Sequence, residues 1–554
     1  MSTKTKRSTT YIAAVVLIVI IVAGVGYYFY QSSMVPPTAT TTMTTGPQYK
    51  DTIVIGTTDS VQTTLDPADA YDYFANDVVM INVGGGLVDY RPGTTQIVPN
   101  LATDWTVSSD GMTWTFNLRQ GVKFADGTPF NAQVVKYSTD RQKAIDEPEG
   151  PFAGVSLDTL INKTVVTGTY QVQFVLNQPF SAFLAMCAFN AMFPVNPTIT
   201  PMNAVVSYTG NVSTEVPNNI GPYMLSNWQR TAGKDVEMDF VPNPNWWNAS
   251  SGYPITKNII YKFYSDSTTL NLALQSGGID IAYRQLAPAD IQSYQSNPKF
   301  KVWQGPGQFI QYLSFNELQK PFDNVNVRKA IAAAIDRNLI ANTVFLGQVV
   351  PLYSMIPAGM SYHQDVFKQY GDANVSYATQ LLQGAGYSAS NPLKFTLTYP
   401  TGHYGSTDGI ASALKQALEK TGVIQVTLAS QPWANYRAST KADQLVVYIY
   451  GWYPDFIDPY DYTYPFLPPD GLGTAHQHYV SATMTQLLHQ AAGNTDPNAF
   501  PQIYGQIQDL IATDVPMVPL FQGTTLGVAN PAVGGIIFDP TTIFRMYLLY
   551  ETTS

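Results

Sequence analysis

Residues 11–30 read YIAAVVLIVIIVAGVGYYFY, twenty positions without a charge. As an α-helix rising about 1.5 Å per residue, the run is roughly 30 Å long, one hydrocarbon core. Lys4, Lys6 and Arg7 stand just before it, which keeps that end cytoplasmic; Tyr27, Tyr28 and Tyr30 fall where the outer interfacial belt lies. Everything downstream is therefore expected outside the cell. A cleaved signal peptide is the competing reading of residues 1–30, but its apolar region spans only about 7–15 residues and closes on a small-x-small site. This run is longer and ends in Tyr and Phe, which favours retention as an anchor. Residues 31–50 are rich in Thr and Pro without apolar periodicity, so they are expected to form an extended stalk.

The long body beyond residue 50 has material for several cores. The chain has 554 residues, 45% of them apolar, and a net charge of −10. No block of Lys and Arg is present, which excludes nucleic acid as a partner, because phosphate binding needs clustered cations. Cys187 is the single cysteine, so neither a disulfide framework nor a cysteine metal cage can form within the chain.

Strands are predicted at 51–57, 105–107, 113–118, 172–176 and 258–264, with Asp110 and Gly111 as a hairpin turn. Helices are predicted at 130–141 and 268–277. The clearest helical pattern is 325–340, where Val327, Ala330, Ile331, Ala334 and Ile335 share one face and Asp323 or Asn324 caps the start. Helices at 377–384, 409–421, 481–492 and 501–512 alternate with strands at 393–399, 424–428, 445–450 and 518–521, an α/β signature.

Catalytic signatures are missing: there is no Gly-x-Ser-x-Gly elbow, no phosphate-binding loop and no His-Glu-x-x-His. No cofactor is implied. His476 and His478, with His489 further on, lack a third ligand and read as solvent-facing loop residues, so no metal site is assigned. Asp458 and Asp461 form an acid pair of a kind any acidic protein supplies.

Several stretches, in order, resemble one family. PNLA (99–102), SDGMTWTFNLR (109–119) and GVKFADGTPFNA (121–132) make a long, specific block. Further along come GPY (221–223), NPNWW (243–247), SGGIDI (276–281), KPFD (320–323), VRKAI (327–331), AIDR (334–337), ATQLLQGAGY (378–387) and GWYPDFIDP (451–459). The chain is similar in these to the extracellular solute-binding proteins of ABC importers, oligopeptide/dipeptide-binding family 5. The anchor and Thr-rich stalk resemble archaeal members, some of which carry pilin-like leaders cleaved before the apolar run.

The resemblance implies a two-lobed, periplasmic-binding-protein-like α/β fold with an extra subdomain inserted in the first lobe. Lobe one is expected at 51–308 and 520–554, with the insert at about 85–200, and lobe two at 309–519. Gly305-Pro306-Gly307 and residues 519–523 are the expected crossings. The ligand would lie between the lobes and pass to a membrane permease. Asp455 matches the aspartate that fixes a peptide's ammonium group in relatives, a charge-assisted contact favoured in a dry cleft. Backbone groups around Gly451, Trp452, Tyr453 and Pro454 would meet the ligand main chain. Trp452, Trp433 and Tyr436 are the aromatic candidates, able to stack on side chains or sugar rings. A peptide is the first reading of the ligand and an oligosaccharide the alternative. An enzyme or adhesion protein on the same scaffold comes last.

Overall fold

The computed structural model describes residues 48–553 apart from 149, 402 and 539. The expected anchor and nearly all of the expected stalk lie outside the described residues. No helix among those described is long and apolar enough to cross a membrane.

The β-branched run Thr52–Thr57 pairs in parallel with Asn258–Phe263 on one side and Ile281–Tyr283 on the other, and fully buries Ile53 and Ile55. The hairpin Tyr223–Thr231 and Lys234–Pro242 extends this half of the sheet. In the other half, Leu393–Thr401 lies parallel to both Ile424–Pro432 and Val447–Trp452. A parallel pair needs a crossover. Helix Thr407–Glu419 supplies it, burying Ile410, Ala411, Leu414 and Leu418.

Two long antiparallel strands, Lys301–Phe315 and Met517–Ala529, run through both halves and make one continuous sheet of two α/β lobes. Residues 301–306 pair with 529–524 in the first lobe and 310–314 with 522–517 in the second; the register breaks between Pro306 and Ile310. At that break a Cβ on Gly307 would stand 2.8 Å from the Gly523 carbonyl oxygen. A side chain at Gly307 would force the two backbones apart.

A separate antiparallel sheet has the order Ala102–Val107, Thr113–Leu118, Gln171–Leu176, Ile161–Gly168. Its central strands alternate strictly, burying Trp114, Phe116 and Leu118 beside Val172, Phe174 and Leu176. Helix Ala132–Ile145 packs on it, and the Asn131 side chain caps the helix by accepting from the amides of Gln133 and Val134. Arg141 of this helix forms a buried ion pair with Asp66 of lobe one. Towards lobe two, Phe180 meets the Tyr460 ring at 5.0 Å, and Ser181 donates from its amide and hydroxyl to the carbonyls of Ala492 and Ala491. The apolar core of the insert is contiguous with that of lobe two, whereas the first-lobe strands enclose a core of their own.

The helix expected over 325–340 stops at Ala334, capped by Asn324. Ile335 is extended, and Asp336 opens a new turn by accepting from the Leu339 amide. Ile335 stays buried from its extended backbone, so the apolar spacing carries no mark of the break.

Candidate functional site

Strand Val447–Trp452 ends at the face between the lobes, and residues 453–461 turn along it. Gly451 is confined there: a Cβ would stand 2.7 Å from Phe309 Cε2 and 3.0 Å from Tyr404 Cε1. Its carbonyl accepts from the Tyr404 hydroxyl at 3.1 Å. That carbonyl, expected to meet ligand main chain, has one of its two lone pairs taken by Tyr404.

Trp452 turns its indole Nε1 to Asp461 Oδ2 at 3.1 Å, and the Asp455 amide donates to the same oxygen at 3.0 Å. The ring is partly exposed and abuts Phe466. Asp455 reaches across to lobe one, where its Oδ2 accepts from the Tyr71 hydroxyl at 2.9 Å. Tyr453 crosses beside it: its hydroxyl accepts from Arg284 at 3.2 Å, and its ring lies 4.4 Å from Phe309. Arg284 covers the Tyr73 ring at 3.8 Å and pairs with Asp59 at 3.7 Å. The Tyr71–Asp455 and Arg284–Tyr453 hydrogen bonds each join one lobe to the other, so the lobes are closed on each other.

Trp433 stacks flat on His403, centroids 3.8 Å apart and planes 7° apart. Packing against Trp433 strips water from one face of the ring and, aided by the Arg437 charge, pushes the His403 imidazole below its usual range, although the residue stays exposed overall. Tyr436 does not line the cleft. It is fully buried under Trp433, and its hydroxyl donates to the Ile449 carbonyl at 2.6 Å. One face of the helix Trp433–Lys441 meets the sheet, and Tyr436 falls on that face.

Burial raises both Asp455 and Asp461 above the usual carboxylate range. The Tyr71 hydrogen bond draws Asp455 part of the way back, while the charge of Asp455 drives Asp461 higher still. Two neighbouring carboxyls, Asp461 buried and Asp455 half-buried, oppose each other's ionisation where no counter-charge stands between them. Asp458, beyond them, is raised to about 6 by burial. Asp455 acts more strongly on Asp461 than Asp458 does, because the turn at Pro459 carries the Asp458 carboxylate towards Tyr504. Among the described residues no Lys or Arg pairs with any of the three acids.

The space beside Asp455, walled by Asn76, Tyr90, Phe189 and Ile543, is about 30 Å³. That admits a water or two, so anything larger enters only when the lobes part. A shallow groove of about 730 Å³ lies over the helix Ala482–Gly493. It is open to solvent and holds His489 as its one titratable side chain, without convergent acids, so it is the weaker site.

Tyr71, Tyr73, Arg284, Phe309 and Tyr404 were not anticipated. The YDYF run at 71–74 is an aromatic signal, but nothing local says which side of a lobe it faces. His476 and His478 are partly buried rather than solvent-facing, and both point to Asp443.

Two lobes on one sheet, crossing at a glycine contact and shut over an acid-lined seam, define a class of receptor that closes by hinge bending around a solute. Residues 96–474 match the family described as bacterial extracellular solute-binding proteins, family 5 Middle, and the chain belongs to that family of solute-binding proteins. It is 30% identical over 499 residues to the probable D,D-dipeptide-binding periplasmic protein DdpA of Escherichia coli strain K12, covering 89% of this chain and 92% of that one. It is also 30% identical over 497 residues to the glutathione-binding protein GsiB of Shigella flexneri, covering 87% and 91%. The fold matches the ABC transporter-associated periplasmic binding protein DppA from Helicobacter pylori, solved with the peptide STSA. That match has a TM-score of 0.75 at 23% identity and covers 91% of this chain and 99% of that one.

Proposed function

We propose that this chain is the receptor of an ABC importer, that it captures peptides by their free amino terminus, and that it delivers them to a membrane permease. The observation that carries the reading is the Asp455–Asp461 pair, a desolvated acidic site at the interlobe seam with no cation of its own. An ammonium group entering there would supply the missing counter-charge and would replace the Tyr71 hydroxyl as the partner of Asp455. Trp452 orients the pair, and Tyr453 and Trp433 offer aromatic surface along the lobe-two side. The names of DdpA and GsiB, and the peptide bound to DppA, support a peptide. We take the lobes as 51–308 with 520–554 and 309–519, the insert as about 85–200, and the hinge as the Gly307–Gly523 contact. Residues 1–30 would anchor the receptor to the outer face of the membrane through the stalk at 31–50.

The test is a thermal-shift and calorimetric screen of the full chain with peptides bearing free or acetylated amino termini, and with oligosaccharides. A ligand at 100 times its Kd adds about 2.7 kcal/mol of stability. Binding confined to free-amine peptides and lost in Asp455→Asn is the expected result. Equal binding of acetylated peptides overturns the assignment of Asp455. Shifts given by oligosaccharides alone overturn the peptide reading and move the site to Trp433 and Trp452.

A further inference from the structure

We propose that Asp443, His476 and His478 form a binding site for one divalent transition-metal ion, Zn2+ first among them, on lobe two and separate from the cleft. Asp443 lies in the turn that precedes Val447–Trp452, whereas Asp455 lies past the other end of that strand. At about 3.3 Å per residue the two ends are roughly 17 Å apart.

One ligand atom from each of the three side chains lies within 4.8 Å of the others. His478 Nε2 is 2.5 Å from Asp443 Oδ1, and His476 Nδ1 is 3.9 Å from the same oxygen. Metal bonds of about 2.0–2.2 Å hold tetrahedral donors roughly 3–3.5 Å apart. The 2.5 Å pair has to open and the 3.9 Å pair to close by about 1 Å or less, and the two histidine nitrogens, within 4.8 Å of each other, to close by up to roughly 1.8 Å, which side-chain rotation supplies. His476 Nδ1 is buried and accepts or donates no hydrogen bond, so one donor position is unused without an ion. The side chains are 21%, 15% and 37% exposed for His476, His478 and Asp443, which leaves one side open for a water as a further ligand. Two imidazoles and a carboxylate suit zinc and its neighbours rather than calcium or magnesium.

The backbone presents these side chains at some cost. Asp443, His476 and His478 all hold left-handed φ angles, 57°, 52° and 60°, a region non-glycine residues avoid unless their surroundings impose it. Here the His476 and His478 amides donate to the carbonyls of Gly473 and Gly471 at 2.7 and 2.9 Å, and the Gln477 carbonyl accepts from the Glu317 amide at 2.9 Å. The Tyr448 hydroxyl donates to the Ala475 carbonyl, which pins the loop to the sheet. Of the charges acting on His476, Lys441 opposes a bound cation and Asp470 favours it.

The full chain, freed of metal with EDTA, is titrated with Zn2+ at neutral pH by calorimetry. One saturable ion per chain is expected, with affinity at least tenfold weaker in His476→Ala and in His478→Ala and unchanged in His489→Ala. Electron paramagnetic resonance of the Cu2+-loaded wild-type chain should show coupling to two imidazole nitrogens, a reading that needs no variant to fold. Absence of saturable Zn2+ binding, undiminished affinity in the His476→Ala/His478→Ala double variant, or a Cu2+ spectrum without two imidazole nitrogens overturns the proposal.

Discussion

Replacing Arg141 with Met tests how the insert is fastened to the first lobe. The Arg141 and Asp66 side chains are 1% and 0% exposed. Nη1 and Nη2 of Arg141 meet the two carboxylate oxygens at 2.8 and 2.5 Å, and Nε and Nη2 also donate to the carbonyls of Pro201 and Ala204, each at 2.7 Å. Met fills much of the volume of the stem but donates nothing. The variant strands a carboxylate and two carbonyls where water does not reach, although Asp66 keeps the amides of Ala68 and Val206 at 3.0 and 2.7 Å. Removing one partner of a buried pair costs about 3–5 kcal/mol. Adding Asp66→Asn removes the stranded charge and keeps an acceptor for one amide, so the double variant should regain roughly 1–3 kcal/mol. Urea unfolding read by tryptophan fluorescence measures the total. Hydrogen exchange at residues 66–70 and 198–206 reads the local opening that a single global transition would hide in a chain of several units. A loss below about 1 kcal/mol in Arg141→Met, with exchange unchanged at those amides, would refute the reasoning that this pair fastens the insert to the first lobe.

Gly451→Ala places a Cβ against Phe309 and Tyr404; overpacking of this kind costs about 1–3 kcal/mol, and an unaltered urea midpoint would contradict it. Tyr71→Phe removes one interlobe hydrogen bond, worth about 0.5–1.5 kcal/mol net. The ligand-free ratio of closed to open molecules, followed by single-molecule energy transfer between lobes, should fall roughly two- to tenfold. A ratio equal to the parent's would show that the bond does not hold the seam. Burial raises Asp72 and Asp458 from 3.8 to about 6 in the folded chain. The folded groups keep protons that the unfolded chain has released, so their contribution to stability is full below the unfolded value and is lost as pH rises through about 6. Asp458→Asn should therefore flatten the decline in stability between about pH 4 and pH 6; parallel curves for parent and variant would rule this out.

Much of the α/β pattern was legible locally. Thr113–Leu118 alternates with period two and is a strand over those residues; the apolar spacing of 407–419 is that of a helix with one buried face. Lys301–Phe315 was not legible, because KVWQGPGQFIQYLSF mixes turn residues with apolar ones. Those turn residues mark the register break and the glycine contact within a strand whose partner is two hundred residues away. Asp455 was singled out through the family resemblance of the Gly-Trp stretch, since its neighbours in sequence carry the pattern. Tyr71, its hydrogen-bond partner, is 384 residues distant and has no mark of its own.

The sequence by itself determined the periodicities, the cap offered at Asp323 or Asn324 and made by Asn324, and the motif block that specifies the family. Such features depend on neighbours within a turn or a strand. Only the tertiary structure decided that Tyr436 is core while Tyr453 meets Arg284, that Asp455 acts on Asp461 more strongly than Asp458 does, and that Asp443 meets two histidines more than thirty positions away. Those outcomes arise from how two lobes and an insert bury their apolar faces together. That long-range balance sets which side chains lose water and which face one another, and no short stretch of sequence records it.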